Sequence, residues 1–487
     1  MQKNNVIEEN LFIGGLSTKG HSGNRSVINS PFDNQPLASV ISADENDVRN
    51  AVAAASEAFR GNSPWRKLSS RNRCEVLLRL SALIRKHAED LARLESTNVG
   101  KPLREARDEV QLAADCFQYY AGVTDKVGGQ TIPGAAGGLN MTFREPIGVC
   151  VLIVPWNFPI AITSWKTAPA LAMGNTIVVK PASQTPLTAL RLAKLGVEAG
   201  IPPGVLNVVT GPGSLVGDAL VRHPLVRKIS FTGSTEVGSS IMKLAADDIK
   251  RVTLELGGKS ANIIFSDADP SRAVDSALWS ALGNAGQDCC SRSRLLVQKT
   301  IYKRFLEDLK DKLRQIRIGD PLEEKTELGP LVTSSQRERV SEYVKIGRDE
   351  GATLVCGGDV PTRREFAAGW FMNPALFADV EPNMRIAQEE IFGPFITAIP
   401  FETEEEAVEI ANNSTYGLSG SVWTNDIGRA LRVVRAVQTG VISVNSGHSV
   451  HLEAPFGGFK RSGMGRELGL AVLDHYTEWK SVYINMG

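Results

Sequence analysis

The sequence predicts an α/β protein with two doubly wound parallel-sheet units, and three observations carry that expectation. Short β-branched runs at 149–154, 176–179, 206–210 and 228–232 alternate with helix-period segments such as 187–200 and 234–246. A second alternating block begins at 261–265 and continues through 295–297, 353–355, 419–423 and 441–444. The blocks meet at Gly257-Gly258. Runs that are apolar throughout and separated by helices suit parallel strands covered on both faces.

Ahead of these blocks, residues 44–121 have helical periodicity: Val48, Ala51, Ala55 and Phe59, then Val76, Leu77, Leu80, Leu83 and Ile84 recur at three- and four-residue steps. The glycine-rich stretch 128–138 leads into the alternating Leu139-Asn140-Met141-Thr142-Phe143, an exposed ribbon. The closing segment 478–484 alternates too, with no obvious partner in the chain.

At 487 residues, the chain is long enough for two or three domains. Its 54 basic and 54 acidic residues cancel, so no surface field favours nucleic acid or acidic lipid, and small molecules are the expected partners. The cysteines at 74, 116, 150, 289, 290 and 356 have the spacing of neither a disulfide framework nor a zinc site. The first residues lack the basic-then-apolar order of a secretory signal, and the longest greasy stretch, 149–162, is broken by Pro155, Asn157 and Pro159. A cytoplasmic protein is expected.

The chemistry concentrates at Asn284-Ala285-Gly286-Gln287-Asp288-Cys289, a thiol after a glycine-bearing turn. Upstream, Leu254-Glu255-Leu256-Gly257-Gly258-Lys259 places a carboxylate at the end of an apolar run. Cysteine as nucleophile with glutamate as base is a complete covalent catalyst. For phosphate there are two candidates. Gly211-Pro212-Gly213-Ser214-Leu215-Val216-Gly217 resembles a dinucleotide fingerprint with one residue too many. In Phe231-Thr232-Gly233-Ser234-Thr235-Glu236-Val237-Gly238 a strand, a glycine turn and a helix N-terminus follow directly, which suits a pyrophosphate better, although Ser234 and Thr235 also read as an ordinary N-cap. Lys180-Pro181-Ala182-Ser183 stands at a strand end, where a lysine and a serine can hold a ribose or simply be solvated.

With those blocks in order, joined by Pro155-Trp156-Asn157-Phe158-Pro159, Glu389-Glu390-Ile391-Phe392-Gly393-Pro394 and Pro455-Phe456-Gly457-Gly458-Phe459, the chain resembles the aldehyde dehydrogenase superfamily along nearly its whole length. The resemblance implies a Rossmann-like cofactor domain (1–121 and 146–255, with 458–474), a catalytic domain (256–457) and a small β oligomerisation flap (122–145 and 475–487) of a homodimer or homotetramer. It also demotes the Gly211 loop to packing. It implies that Cys289 attacks the aldehyde carbon, that Asn157 donates to the resulting oxyanion, and that Glu255 activates the water that releases the acid. Trp156, Lys180, Ser183, Gly233, Ser234, Gly238, Leu256, Glu390 and Phe392 are the implied cofactor residues, Phe158, Trp165 and Phe456 line the substrate tunnel, and Lys166 and Glu467 match a proton relay, a surface ion pair being the simpler reading of that pair. Cys290 reads as packing, or as a thiol that traps Cys289 oxidatively.

NAD or NADP is the expected cofactor. Ser183 replaces the glutamate with which many NAD-preferring relatives grip the ribose, so a 2′-phosphate is tolerated. Trp165 stands where relatives that oxidise succinic semialdehyde carry arginine, Asn98 replaces an aspartate of many aminoaldehyde-oxidising relatives, and Gly283 stands where several relatives place a bulky side chain. Aliphatic, aromatic and amino aldehydes all stay open. Glu255 speaks against acyl transfer to coenzyme A, and Cys289 with Glu255 speaks against a catalytically silent scaffold. No metal site is expected, His448 and His451 reading as loop residues.

Overall fold

The computed structural model describes residues 6–134 and 137–487. The first five residues of the expected cofactor domain, and 135–136 of the glycine-rich stretch, lie outside the described residues.

The first sheet has eight strands. Its parallel members lie in the order Arg251–Glu255, Val226–Thr232, Val149–Ile153, Thr176–Lys180, Leu206–Val208. The strand order reverses between Val149–Ile153 and Val226–Thr232, and at such a switch a crevice opens outside the carboxyl ends of the strands. Short antiparallel strands close both edges: Leu11–Ile13, with Leu16–Thr18 beyond it, beside Leu206–Val208, and Gly463–Met464 beside Arg251–Glu255.

Helices Glu45–Phe59, Ser70–Lys86, Ala88–Val99 and Leu103–Ala121 realise the predicted helical stretch. The last of them packs on Pro159–Ala172, a helix buried at every position, which in turn lies against Val149–Ile153 and Thr176–Lys180. A mostly apolar helix of this kind, buried on every face, has to be enclosed by other elements.

The second sheet has seven strands, in the order Thr353–Cys356, Ala375–Ala378, Phe395–Phe401, Arg294–Gln298, Ala261–Ile264, Ser419–Trp423, Val441–Val444. All neighbours are parallel except the first pair. The sequence reading puts 353–355 among the parallel strands. The structure corrects this, because the chain returns from Cys356 to Ala375 with only a short 3₁₀ turn, Arg364–Phe366, and no crossover helix, which leaves an antiparallel edge.

The two β segments without evident partners pair with each other. Thr477–Asn485 runs antiparallel along Gly138–Pro146, and Thr131–Ile132 adds a short third strand. Phe143, Trp479 and Ile484 on this ribbon stay about half exposed. No described helix is long and apolar enough to cross a membrane.

Candidate active site

A cleft of about 1050 Å³ opens at the carboxyl ends of the first sheet. Of the residues expected to hold a cofactor, Trp156, Lys180, Ser183, Gly233, Ser234, Leu256, Glu390 and Phe392 line it, together with Asn157 and Cys289. Gly238 does not. Its Cα faces the Leu256 side chain, with which a Cβ would collide, so it permits packing instead of touching the cleft. Ser234 caps the helix Thr235–Ala246 by accepting from the Val237 N–H at 3.3 Å, so the N-cap reading holds at a helix end that faces the cleft. The Gly211 loop is more than packing: Gly213, Ser214 and Gly217 form part of the cleft wall, and the Ser183 hydroxyl donates to the Gly211 carbonyl at 2.9 Å.

Lys180 is buried, and its Nζ donates to the Pro181 carbonyl at 3.1 Å. Burial lowers its pKa to about 8, which leaves the amine mostly charged at neutral pH. Glu390 accepts from the Gly258 N–H at 2.9 Å, and burial raises its carboxyl to about 7. The two glycines after Glu255 exist for clearance. A Cβ on Gly257 would collide with the Glu390 carboxylate, and one on Gly258 with the Cys289 carbonyl. Trp156 and Phe392 meet edge to face at 5.2 Å.

The nucleophile segment follows the helix Pro270–Leu282 through a tight turn in which Asn284 and Ala285 are both left-handed, at φ 50 and 55. Asparagine tolerates that region, whereas alanine there costs about 1–2 kcal/mol, strain of the sort held at functional sites. Asn284 Nδ2 donates to the carbonyls of Asn157 and Gln287, and Asn157 Nδ2 donates to the Gln287 carbonyl at 3.0 Å. These bonds tie the Asn157 loop to the cysteine loop. Cys289 is partly exposed, and its thiol pKa is raised by its hydrogen bond to Cys290 and by burial.

Glu255 ends the strand Arg251–Glu255, and neither of its carboxylate oxygens has a hydrogen-bond partner. Burial, and then the charge of Glu467, push its carboxyl well above the ordinary range. Lys166 and Glu467 pair at 2.7 Å, and Ser230 bonds to both. The pair is exposed by only 0 and 3 %, which overturns the surface reading. Trp165 and Phe456 meet at 5.4 Å, and the Phe158 ring lies under Lys101.

The pattern of the aldehyde dehydrogenase family matches residues 18–482. An aldehyde dehydrogenase of Aspergillus niger is 44 % identical over 98 % of this chain and 95 % of its own, and a betaine aldehyde dehydrogenase of Bacillus subtilis is 44 % identical over 98 % of both. Among solved structures, an NAD+ complex of an aldehyde dehydrogenase from Bacillus cereus has a TM-score of 0.96 at 43 % identity, covering 99 % of this chain and 97 % of that one. A betaine aldehyde dehydrogenase of Staphylococcus aureus in complex with NAD+ reaches 0.97 at 38 %, covering 99 and 96 %. The chain belongs to the aldehyde dehydrogenase family.

This family member is thus an oxidoreductase acting on aldehydes, and its site includes residues the motifs do not reveal. Arg292, buried to 1 % exposure, donates to the Cys290 carbonyl, to Ser419 and Ser421, to the Gly420 carbonyl and to Ser449. It fastens the cysteine segment to the loop carrying His448 and His451. Those two rings meet edge to face at 4.8 Å, and among the described residues no third ligand type joins them. Asp288, Cys289 and Cys290 do gather their ligand atoms within 4.8 Å, but two of these are the adjacent thiols of the nucleophile segment. Asn98 is buried and donates to the Gln184 carbonyl at 2.9 Å, which makes it a backbone brace and removes its value as a substrate marker. A Cβ at Gly283 would meet no atom within 4 Å.

Proposed function

We propose that the chain oxidises an aldehyde to its acid with NAD or NADP, using Cys289 as nucleophile, Asn157 as oxyanion donor and Glu255 as the base for hydrolysis. The observation that carries this reading is the convergence of Cys289, Asn157 and Glu390 on one cleft, with an unpartnered buried Glu255 on the strand whose following glycines contact both Cys289 and Glu390. Cys289 attacks as a thiolate: its Sγ bonds to the aldehyde carbon as the C=O π bond opens, and the carbonyl oxygen takes the negative charge. The Asn157 amide and the Cys289 N–H donate to that oxygen. The nicotinamide, when bound, supplies the acceptor for the hydride that leaves the tetrahedral carbon. Glu255 then takes a proton from water, whose oxygen attacks the thioester carbon, and the C–S bond breaks to release the acid and restore the Cys289 thiolate. Lys166 and Glu467 form a buried path that carries the proton away.

A dinucleotide fits the cleft by the chemistry of its walls. Trp156, Leu256 and Phe392 offer apolar surface, the N-terminus of Thr235–Ala246 suits the pyrophosphate, and Lys180 and Glu390 suit the two riboses. Ser183 carries no charge and Lys180 carries one, which favours tolerance of a 2′-phosphate. Changing Ser183 to glutamate is expected to lower kcat/KM with NADP about tenfold more than with NAD, since like charges brought together cost affinity. An equal loss with both would remove Ser183 from cofactor choice. The overall reading is tested by following reduced cofactor over a panel of aliphatic, aromatic and amino aldehydes, with and without coenzyme A. A requirement for coenzyme A would replace hydrolysis by acyl transfer.

The domain division follows the sheets: the first sheet with the helices of 45–121 as cofactor domain, the second as catalytic domain, and the ribbon as flap. We infer that the half-exposed Phe143 and Trp479 of the flap are covered by another subunit of a dimer or tetramer. Phe143→Glu is expected to lower the mass measured by light scattering by at least one dimer step; an unchanged mass would place the interface elsewhere. A cytoplasmic location agrees with the free cysteines at 74, 116, 150, 289, 290 and 356.

A further inference from the structure

Glu95, Lys101 and Glu109 are buried behind the Asn157 loop, with Glu105 partly buried beside them, and none has a part in the chemistry above. Ions are not buried without partners, so their bonds identify what they hold. Glu95 accepts from the Ile160 N–H at 3.0 Å and the Thr188 hydroxyl at 2.7 Å, and Glu109 accepts from the Ala161 N–H at 3.3 Å. Two carboxyl groups therefore cap the first turn of Pro159–Ala172, whose Pro159 has no N–H to satisfy. Glu109 also pairs with Lys101. Lys101 Nζ donates to the Asn157 carbonyl at 2.8 Å and lies 4.3 Å above the Phe158 ring centroid. On the other side, a Glu105 carboxylate oxygen accepts from the Asn284 N–H at 2.8 Å, inside the left-handed turn that leads to Cys289.

These contacts have one common target. The Asn157 carbonyl is held by Lys101 Nζ and Asn284 Nδ2, which leaves the Asn157 side chain pointing at the cysteine loop. Glu105 and Glu109 are one turn apart on the helix Leu103–Ala121, so a single rigid element grips both halves of the oxyanion site.

We propose that Lys101, Glu105 and Glu109 are positioning residues that set the separation of the Asn157 amide and the Cys289 N–H. The inference rests on Asn157 being the oxyanion donor. Burial and the neighbouring Glu109 raise the Glu95 carboxyl, while Glu109 keeps Lys101 as its ion-pair partner. Small displacements of a donor weaken transition-state hydrogen bonds far more than they weaken the fold.

The test is a double-mutant cycle on purified enzyme, with pre-steady-state formation of reduced cofactor as readout and cofactor affinity as control. Lys101→Met is expected to slow formation about tenfold or more with cofactor affinity unchanged, yet less than about twofold in the Asn157→Ala background. Glu105→Leu should behave in the same way, and Glu105→Gln, which keeps an acceptor for the Asn284 N–H, should recover most of its loss. A merely structural role would give equal losses in both backgrounds, and that outcome overturns the inference. If Asn157→Ala alone has no effect, the oxyanion reading fails first and this inference falls with it. Should Lys101→Met not fold, the Glu105 series in both backgrounds decides by the same criterion.

Discussion

Replacing Cys289 with alanine is expected to lower kcat/KM for aldehyde oxidation by about 10⁴-fold or more, equivalent to ~5.5 kcal/mol of lost transition-state stabilisation. The size follows from the route. Without a sulfur–carbon bond, hydride can leave only from an aldehyde hydrate that nothing anchors covalently, and the oxyanion donors then have no fixed tetrahedral carbon to act on. Cys290 cannot take over. It is buried, its N–H is held by Asp288, and its carbonyl is held by Arg292 and Ser419, so its sulfur cannot swing into the position Cys289 holds. The measurement is the absorbance of reduced cofactor under saturating aldehyde, beside a cofactor-binding titration that shows the cleft intact. Activity within tenfold of wild type would remove Cys289 from the mechanism. Cys290→Ser, by contrast, should retain turnover, because the neighbouring thiol takes no part in bond formation.

Much of this site can be read in the sequence because its pieces are local. A strand end, a glycine turn and a helix N-cap are contiguous at Phe231 to Gly238, and the turn chemistry before Cys289 is written in Asn284 and Gly286. What escapes the sequence is non-local. Strands Ile7–Glu9, Arg25–Asn29 and Pro36–Ile41 are short, with exposed positions, and pair with one another, while the three buried or half-buried residues Leu11–Ile13 gain distant Leu206–Val208 as a partner. Ala375–Ala378 and Phe395–Phe401 are apolar, but no helix longer than one turn leads into either, the only one between them being Arg385–Gln388, so strand–helix alternation does not mark them. Glu95, Lys101, Glu105 and Glu109 look like the wet face of a helical stretch, since only the packing of Ala88–Val99, Leu103–Ala121, Pro159–Ala172 and Leu187–Glu198 together encloses Glu95, Lys101 and Glu109 and partly covers Glu105. Arg292 reads as one more charge in Ser291-Arg292-Ser293-Arg294 until its five acceptors, drawn from the cysteine segment, the strand Ser419–Trp423 and the Ser449 loop, are seen together. Lys166 and Glu467 fail in the same sense: a charged pair normally belongs to the surface, and only the tertiary structure encloses this one.

Glu255→Gln separates the two halves of the reaction. Glutamine keeps the volume in a pocket where Glu255 has no hydrogen-bond partner to lose, so folding and cofactor binding should be unaffected, while the base is gone. Steady-state turnover is expected to fall about 10²- to 10⁴-fold, the usual contribution of a general base, yet a first burst of reduced cofactor near one equivalent per active site should remain. The enzyme should then carry the acyl group as a thioester on Cys289, visible as a mass increase of the intact protein. The pH profile adds a second signature. Burial and the nearby Glu467 raise the Glu255 carboxyl well above its usual value, so the basic form is populated only towards higher pH. Turnover of the wild type should therefore fall as pH drops through that raised value, and in Glu255→Gln the acid limb of the steady-state rate should disappear while the slow residual rate stays flat. Loss of the burst together with turnover would give a different assignment, with Glu255 preparing the Cys289 thiol, whose own raised pKa also calls for a base, and with another group activating the water.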